Sequence, residues 1–67
     1  MSQTAQKIAL SIHLDTATSC LKRGDFKATQ LALRNALKIA NSLENGSVKK
    51  LIFRAMNHVR NAERIAA

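Results

Sequence analysis

Apolar residues follow a helical period over most of the chain, and two short polar segments interrupt it. Alanines recur at every fourth residue in the middle of the sequence, at Ala28, Ala32, Ala36 and Ala40. Residues four apart lie on one face of a helix, so this ridge of small side chains lets a second helix approach closely. Ala5, Ala9 and Ala17 have related spacing earlier in the chain. The pattern predicts that these two helices pack antiparallel.

Each interruption contains a glycine next to a residue that can cap a helix. Gly24 and Gly46 can adopt the left-handed conformation that ends a helix. Asp25 and Ser47 have side-chain oxygens that accept the free amide hydrogens at the start of the next helix. We therefore predict helices near residues 4–22, 26–44 and 48–66. They form one all-α domain over residues 1–67, a three-helix bundle built on an antiparallel helical hairpin.

The third predicted helix has one apolar face that closes the bundle. At about 100° per residue this face contains Val48, Leu51, Ile52, Ala55, Met56, Val59, Ala62 and Ala66. The first predicted helix instead has two apolar stripes. One contains Ala5, Ile8 and Ile12, and the other contains Leu10, Leu14, Ala17 and Leu21. Either this helix lies between the other two, or its surplus stripe binds another protein or a second copy as a homodimer.

The predicted hairpin resembles one repeat of the tetratricopeptide family. That family has a small residue where Ala17 stands, a Gly-Asp-aromatic turn at residues 24–26, and an alanine where Ala36 stands. Thr29 departs from the family's usual alanine, and a single repeat excludes a solenoid. A hairpin with a third helix is also similar to the microtubule-interacting-and-trafficking domain, whose last helix often ends in a pattern like residues 60–65. Both resemblances imply an adaptor that binds peptides or helices without catalysis.

Positive charge dominates the composition. Eleven lysines and arginines against four acidic residues give a formal net charge of +7. Such an excess favours acidic partners, which include nucleic acid, an anionic membrane and an acidic protein surface.

The basic residues of the third predicted helix share an arc of about 140°, opposite its apolar face. The arc contains Lys49, Lys50, Phe53, Arg54, Asn57, Arg60, Asn61 and Arg64. We expect Phe53 to fold over the edge of the bundle, because it lies only about 60° from Met56. The arc is either a docking surface or the charged face that a solvent-exposed helix normally presents.

The second predicted helix has a smaller stripe of the same kind. It contains Lys27, Leu31, Arg34 and Lys38. If this stripe lies beside the basic arc, the two form a basic groove with an apolar floor. A groove of that type suits an acidic amphipathic helix from a partner.

Residue types that support catalysis or metal binding are sparse. Cys20 is the single cysteine, which excludes an internal disulfide and a paired-cysteine zinc site. We expect His13 and Cys20 to be core or interface residues. The four acids are scattered and form no acid–base pair, so we expect no enzyme activity, metal or cofactor. Lys7 and His13 interrupt the apolar start of the chain, which predicts a cytoplasmic protein without a signal peptide.

These features predict a binding protein. We expect it to dock on an acidic surface or helix of a larger protein and to modulate the activity or assembly of that protein. The alternative is a nucleic-acid-binding protein that contacts phosphates through the third helix. We do not expect membrane binding, because the basic arc lacks tryptophan and the apolar face of the same helix is needed for the core.

Overall fold

The computed structural model describes residues 3–66, which form three α-helices joined by two short turns. Helix α1 spans Gln3–Lys22, α2 spans Phe26–Ser42 and α3 spans Gly46–Ala66. The predicted all-α architecture of three helices is confirmed, with no strand among the described residues. The observed boundaries differ from the predicted ones at the second turn, where α2 ends earlier and α3 begins earlier.

Helix α2 is the central element of the bundle. Both α1 and α3 pack against it, while α1 and α3 make little contact with each other. The resulting body is elongated and flat, with extents of 41 × 19 × 12 Å. The alternative in which α1 lies between the other two helices is therefore wrong, because α2 occupies that position.

The alanine ridge of α2 explains how one helix accommodates two neighbours. Ala36 and Ala40 have no solvent exposure, and Ala32 is also buried. Small side chains bring helix axes close together, so larger residues of α1 and α3 reach across the ridge. The core is correspondingly small and contains Leu10, Ala17, Ala32, Leu33, Ala36, Ala40, Ile52 and Val59.

The turn between α1 and α2 has the predicted chemistry. Gly24 is left-handed, with φ of +76°. Its amide donates to the carbonyl of Leu21 at 3.0 Å, and the amide of Asp25 donates to the carbonyl of Cys20 at 2.9 Å. This pair of bonds is a Schellman motif. Asp25 then caps α2, because its Oδ1 accepts a hydrogen bond from the amide of Ala28 at 3.2 Å.

The turn between α2 and α3 repeats this geometry with residues that differ from the predicted ones. Glu44 is the left-handed residue, with φ of 54°. The amides of Glu44 and Asn45 donate to the carbonyls of Asn41 and Ala40, both at 3.1 Å. Asn45 Oδ1 accepts a hydrogen bond from the amide of Val48 at 3.2 Å and caps α3.

The predicted roles of Gly46 and Ser47 in this turn are wrong. Gly46 is the first residue of α3 rather than the end of α2. The physical reason is that the Schellman turn places Asn45 where Asp25 stands in the first turn, and asparagine caps a helix as well as serine does. Ser47 therefore lies inside the first turn of α3.

Two predicted core positions of α3, Leu51 and Ala66, are also wrong. Leu51 leaves 61% of its surface exposed, whereas the adjacent Ile52 is 1% exposed. Successive helical residues point about 100° apart, and Leu51 lies on the side of α3 that faces away from α2. Since α1 does not cover that side, Leu51 stays in solvent. Ala66 is exposed at the end of the helix in the same way.

Candidate functional site

The outer side of α3 is a cationic surface, as predicted. Ile52 and Val59 are buried against the rest of the bundle, so the opposite side of the helix faces solvent. We call this surface the cationic face of α3. Its exposed members are Lys50, Phe53, Arg54, Asn57, Arg60, Asn61 and Arg64, and Lys49 at its edge is half-buried.

The acidic residues of the chain do not neutralise this face. Between residues 3 and 66, none of its lysines and arginines forms an ion pair. The Asp25 carboxylate is used instead as the cap of α2. Glu63 is exposed, but it lies about 40° outside the cationic arc on the helical projection of α3. The cations are therefore left for solvent or for a partner.

Phe53 lies among these cations and keeps half of its surface, 50%, exposed. It stands one helical turn from both Lys49 and Asn57, and two turns from Arg60. Phe53 is not one of the side chains that pack against the core, so its expected fold over the bundle edge stays a prediction. The exposed half forms an apolar patch in a charged surface.

Helix α2 presents the predicted basic stripe. Its four residues are all exposed, and Leu31 has 60% of its surface in solvent. The stripe lies opposite the buried alanine ridge of the same helix. We call it the basic stripe of α2, and it contains Lys27, Leu31, Arg34 and Lys38.

A side-chain hydrogen bond fixes the register of the two cationic surfaces. Gln30 Nε2 donates to the backbone carbonyl of Met56 at 3.2 Å. Arg34 follows Gln30 by one turn on α2, and Arg60 follows Met56 by one turn on α3. Each arginine lies about 40° further round its helix toward solvent. The Gln30–Met56 seam is therefore bordered by the basic stripe on one side and the cationic face on the other.

A second surface feature lies between α1 and α3. It is an open groove of about 160 Å³ with mainly apolar walls, lined by Leu14, Ala17, Thr18, Leu21, Thr29, Leu33, Ala55, His58 and Val59. Thr29 is 1% exposed, and its hydroxyl donates to the carbonyl of Asp25 at 2.8 Å. Sequence reasoning missed this groove. It results from the separation of α1 and α3, which the residue spacing within each helix does not encode.

The residues considered for metal binding or nucleophilic chemistry are not brought together. Cys20 is buried, as predicted, and Arg23 Nη2 lies 3.3 Å from its Sγ. His13 is half-buried on α1, while His58 is exposed on α3. Over the part of the chain that the structure describes, no three histidine, cysteine or acidic side chains are grouped as a metal site requires.

None of the three helices, within their described residues, has the combination of length and apolarity needed to cross a bilayer. Comparison with protein families, curated proteins and solved structures finds no significant match to this chain. The resemblances to the tetratricopeptide hairpin and to the microtubule-interacting-and-trafficking domain stay predictions.

Proposed function

We propose that this chain is a small helical binding protein that docks on an acidic surface or acidic amphipathic helix of a larger protein. The cationic face of α3 and the basic stripe of α2 make the contact, and docking modulates the activity or assembly of the partner. One observation supports this function above the others. Exposed cations without acidic partners surround the half-exposed ring of Phe53.

The combination of apolar and cationic groups favours a protein partner. Arginine and aromatic side chains are the residues that contribute most to protein interfaces when a partner buries them. Phe53 and Leu31 offer apolar contacts that a phosphate backbone does not match. The surrounding cations would steer an acidic partner toward the surface and orient it there.

The Gln30–Met56 contact sets which cations of α2 and α3 lie at the same level along the seam between the two helices. The helices run antiparallel from the short turn at residues 43–45, so the Gln30–Met56 bond places Lys27 about level with Arg60. By the same count Arg34 is about level with Phe53. Cations thus border the seam along several turns. This arrangement fits an amphipathic helix with acidic residues on both edges of its apolar face.

Affinity capture with charge-matched variants tests the proposal. One variant reverses the charge on α3 through Lys50→Glu, Arg54→Glu and Arg60→Glu. The control makes the same charge change on and just after α1 through Lys7→Glu, Lys22→Glu and Arg23→Glu. Both variants are first checked for helix content by circular dichroism. We expect wild type and control to retain partner proteins that the α3 variant loses, and equal recovery by all three would overturn the proposal.

A second candidate function is nucleic-acid binding, which the exposed arginine and asparagine side chains of α3 favour. Arg54, Asn57 and Arg60 could contact phosphates and base edges if α3 entered a major groove. Fluorescence anisotropy with a short DNA duplex tests this function. Binding must fall steeply as salt rises and must weaken in Arg54→Ala and Arg60→Ala. A duplex that does not bind at low salt excludes the nucleic-acid function.

The proposed function involves no catalysis, and we propose the cytoplasm as its location. The single thiol supports that location, since a chain without disulfides suits a reducing compartment. The predicted likeness to helix-binding adaptor families agrees with the same proposal.

A further inference from the structure

The outer face of α1 differs from the outer faces of the other two helices. Ile8 and Ile12 each leave 58% of their surface exposed there. Thr4 and Thr16 continue the same row at four-residue spacing, so the side chains form a ridge about three turns long. We use the name outer face of α1 for six exposed residues, which are Thr4, Ile8, Ile12, Asp15, Thr16 and Ser19.

This face is less polar than its composition suggests. The hydroxyl of Thr16 donates to the carbonyl of Ile12 at 2.9 Å, so its hydrogen is already used within the helix. The threonine methyl group is then free to extend the apolar ridge. Asp15 is the one charged residue of the face. Lys22 is exposed on the same side of α1 and lies about one turn beyond Ser19, at the end of the helix. In contrast, lysines and arginines occupy the outer faces of α2 and α3.

We infer that the outer face of α1 is a self-association surface that binds a second copy of this chain. With a net charge of +7, two copies repel each other when they approach through the outer faces of α2 or α3. The ridge centred on Ile8 and Ile12 is the approach that brings no cations directly together, because Lys22 lies at the far end of α1. It also exposes the apolar surface that a small core leaves uncovered.

The ridge is complementary to itself in an antiparallel arrangement. When the two-fold axis passes midway between Ile8 and Ile12, Ile8 of each copy contacts Ile12 of the other copy. The same axis brings Asp15 close to the level of Lys7 of the second copy, separated by about 3 Å along the helix axis. Each copy then supplies one acidic and one basic residue at the edge of the contact.

The contact is small, so the dimer is weak. A few turns of one helix bury less than the roughly 1,000 Å² that is typical of stable interfaces. Salt should strengthen the association, because it screens the repulsion between two cationic chains while the apolar contact remains. This salt response is opposite to that expected for docking on an acidic partner. The inference goes beyond the proposed function and uses different residues.

Sedimentation equilibrium of the full chain tests the inference, over about 10 µM to about 1 mM protein and in about 50 and 500 mM NaCl. We expect a monomer–dimer equilibrium that tightens at the higher salt. Ile12→Glu should weaken it at least about tenfold, a change of about 1.4 kcal/mol. Leu31→Glu is the matched control, because Leu31 is equally exposed on α2 and the charge change is identical. It should leave the dimer intact.

Two outcomes overturn the inference. One is a monomer throughout the concentration range at both salts. The other is a dimer that Leu31→Glu disrupts and Ile12→Glu does not. Both substitutions are at exposed positions, and circular dichroism confirms that each variant keeps its helices. Neither outcome bears on the cationic face of α3, whose test is the capture of partner proteins.

Discussion

The side-chain amide of Gln30 lies 3.2 Å from the carbonyl oxygen of Met56 and hydrogen-bonds it across the α2–α3 interface. The contact is partly buried and joins residues 26 apart in the chain. It borders both cationic surfaces, so it affects how those surfaces are aligned as well as how α3 is held. Stability and docking are therefore coupled at this position.

Replacing Gln30 by methionine should destabilise the fold by about 1 kcal/mol, the usual net value of one such hydrogen bond. Methionine keeps the length of the side chain and removes the donor. Gln6→Met on α1 is the control, because Gln6 is also half-buried and has no side-chain hydrogen bond among the described residues. Urea unfolding followed by circular dichroism measures both variants. Equal urea midpoints for the Gln30→Met and Gln6→Met variants would show that the Gln30–Met56 hydrogen bond contributes nothing to stability.

Glu44→Gly should stabilise the chain by roughly 0.5–1 kcal/mol. A non-glycine residue in the left-handed region costs about 1–2 kcal/mol, and the greater unfolded-state freedom of glycine offsets part of that gain. Glu44→Ala is the control for removal of the charge, because alanine has the same steric conflict at φ of 54°. The midpoint of thermal unfolding should be higher for the glycine variant than for the alanine variant and the wild type. A glycine variant no more stable than the alanine variant would contradict the assigned turn.

Asn45→Ala should cost about 1 kcal/mol, the typical loss when a helix cap is removed. The reason is that Asn45 Oδ1 accepts the hydrogen bond from the amide of Val48. Ser47→Ala should change stability by less than about 0.5 kcal/mol, since alanine favours the helix interior that Ser47 occupies. Chemical denaturation of the two variants compares them directly. A larger loss of stability from Ser47→Ala than from Asn45→Ala would show that Ser47 caps α3, as the sequence predicts.

Ile52→Val should cost about 1 kcal/mol, because it removes a methylene group from a side chain that is 1% exposed. Leu51→Ala removes more atoms and should still cost less than about 1 kcal/mol, because much of that side chain is already in water. The two residues are adjacent, so local helix context is the same. A larger loss for Leu51→Ala would mean that α3 is rotated relative to the described orientation.

The helical architecture could be predicted because its causes are local. The four-residue spacing around Ala36 specifies one face of α2, and Gly24 with Asp25 specifies the first turn. The predicted position of the second turn differs from the observed one by two residues. The reason is that three adjacent residues, Asn45, Gly46 and Ser47, are each of a type that commonly ends or caps a helix. The choice among them depends on where the helix closes its last hydrogen bonds.

The cationic face of α3 could be predicted from residue spacing alone, since the orientation of one helix follows from its apolar side. The packing order of the helices could not. Whether Ile12 and Leu51 are covered depends on which helix takes the central position, and α1 and α2 have similar alanine spacing. For the same reason the groove beside His58 had no signature in the sequence.

Zero-length carbodiimide cross-linking of the captured complex, mapped by mass spectrometry, tests the central claim most directly. The reagent joins a lysine amine to a carboxylate that it touches, and the lysines of this chain lie on all three helices. The proposed docking predicts cross-links from Lys49 or Lys50 on α3, and from Lys27 or Lys38 on α2, to acidic residues of the partner. Cross-links confined to Lys7 and Lys22 on α1 would contradict it.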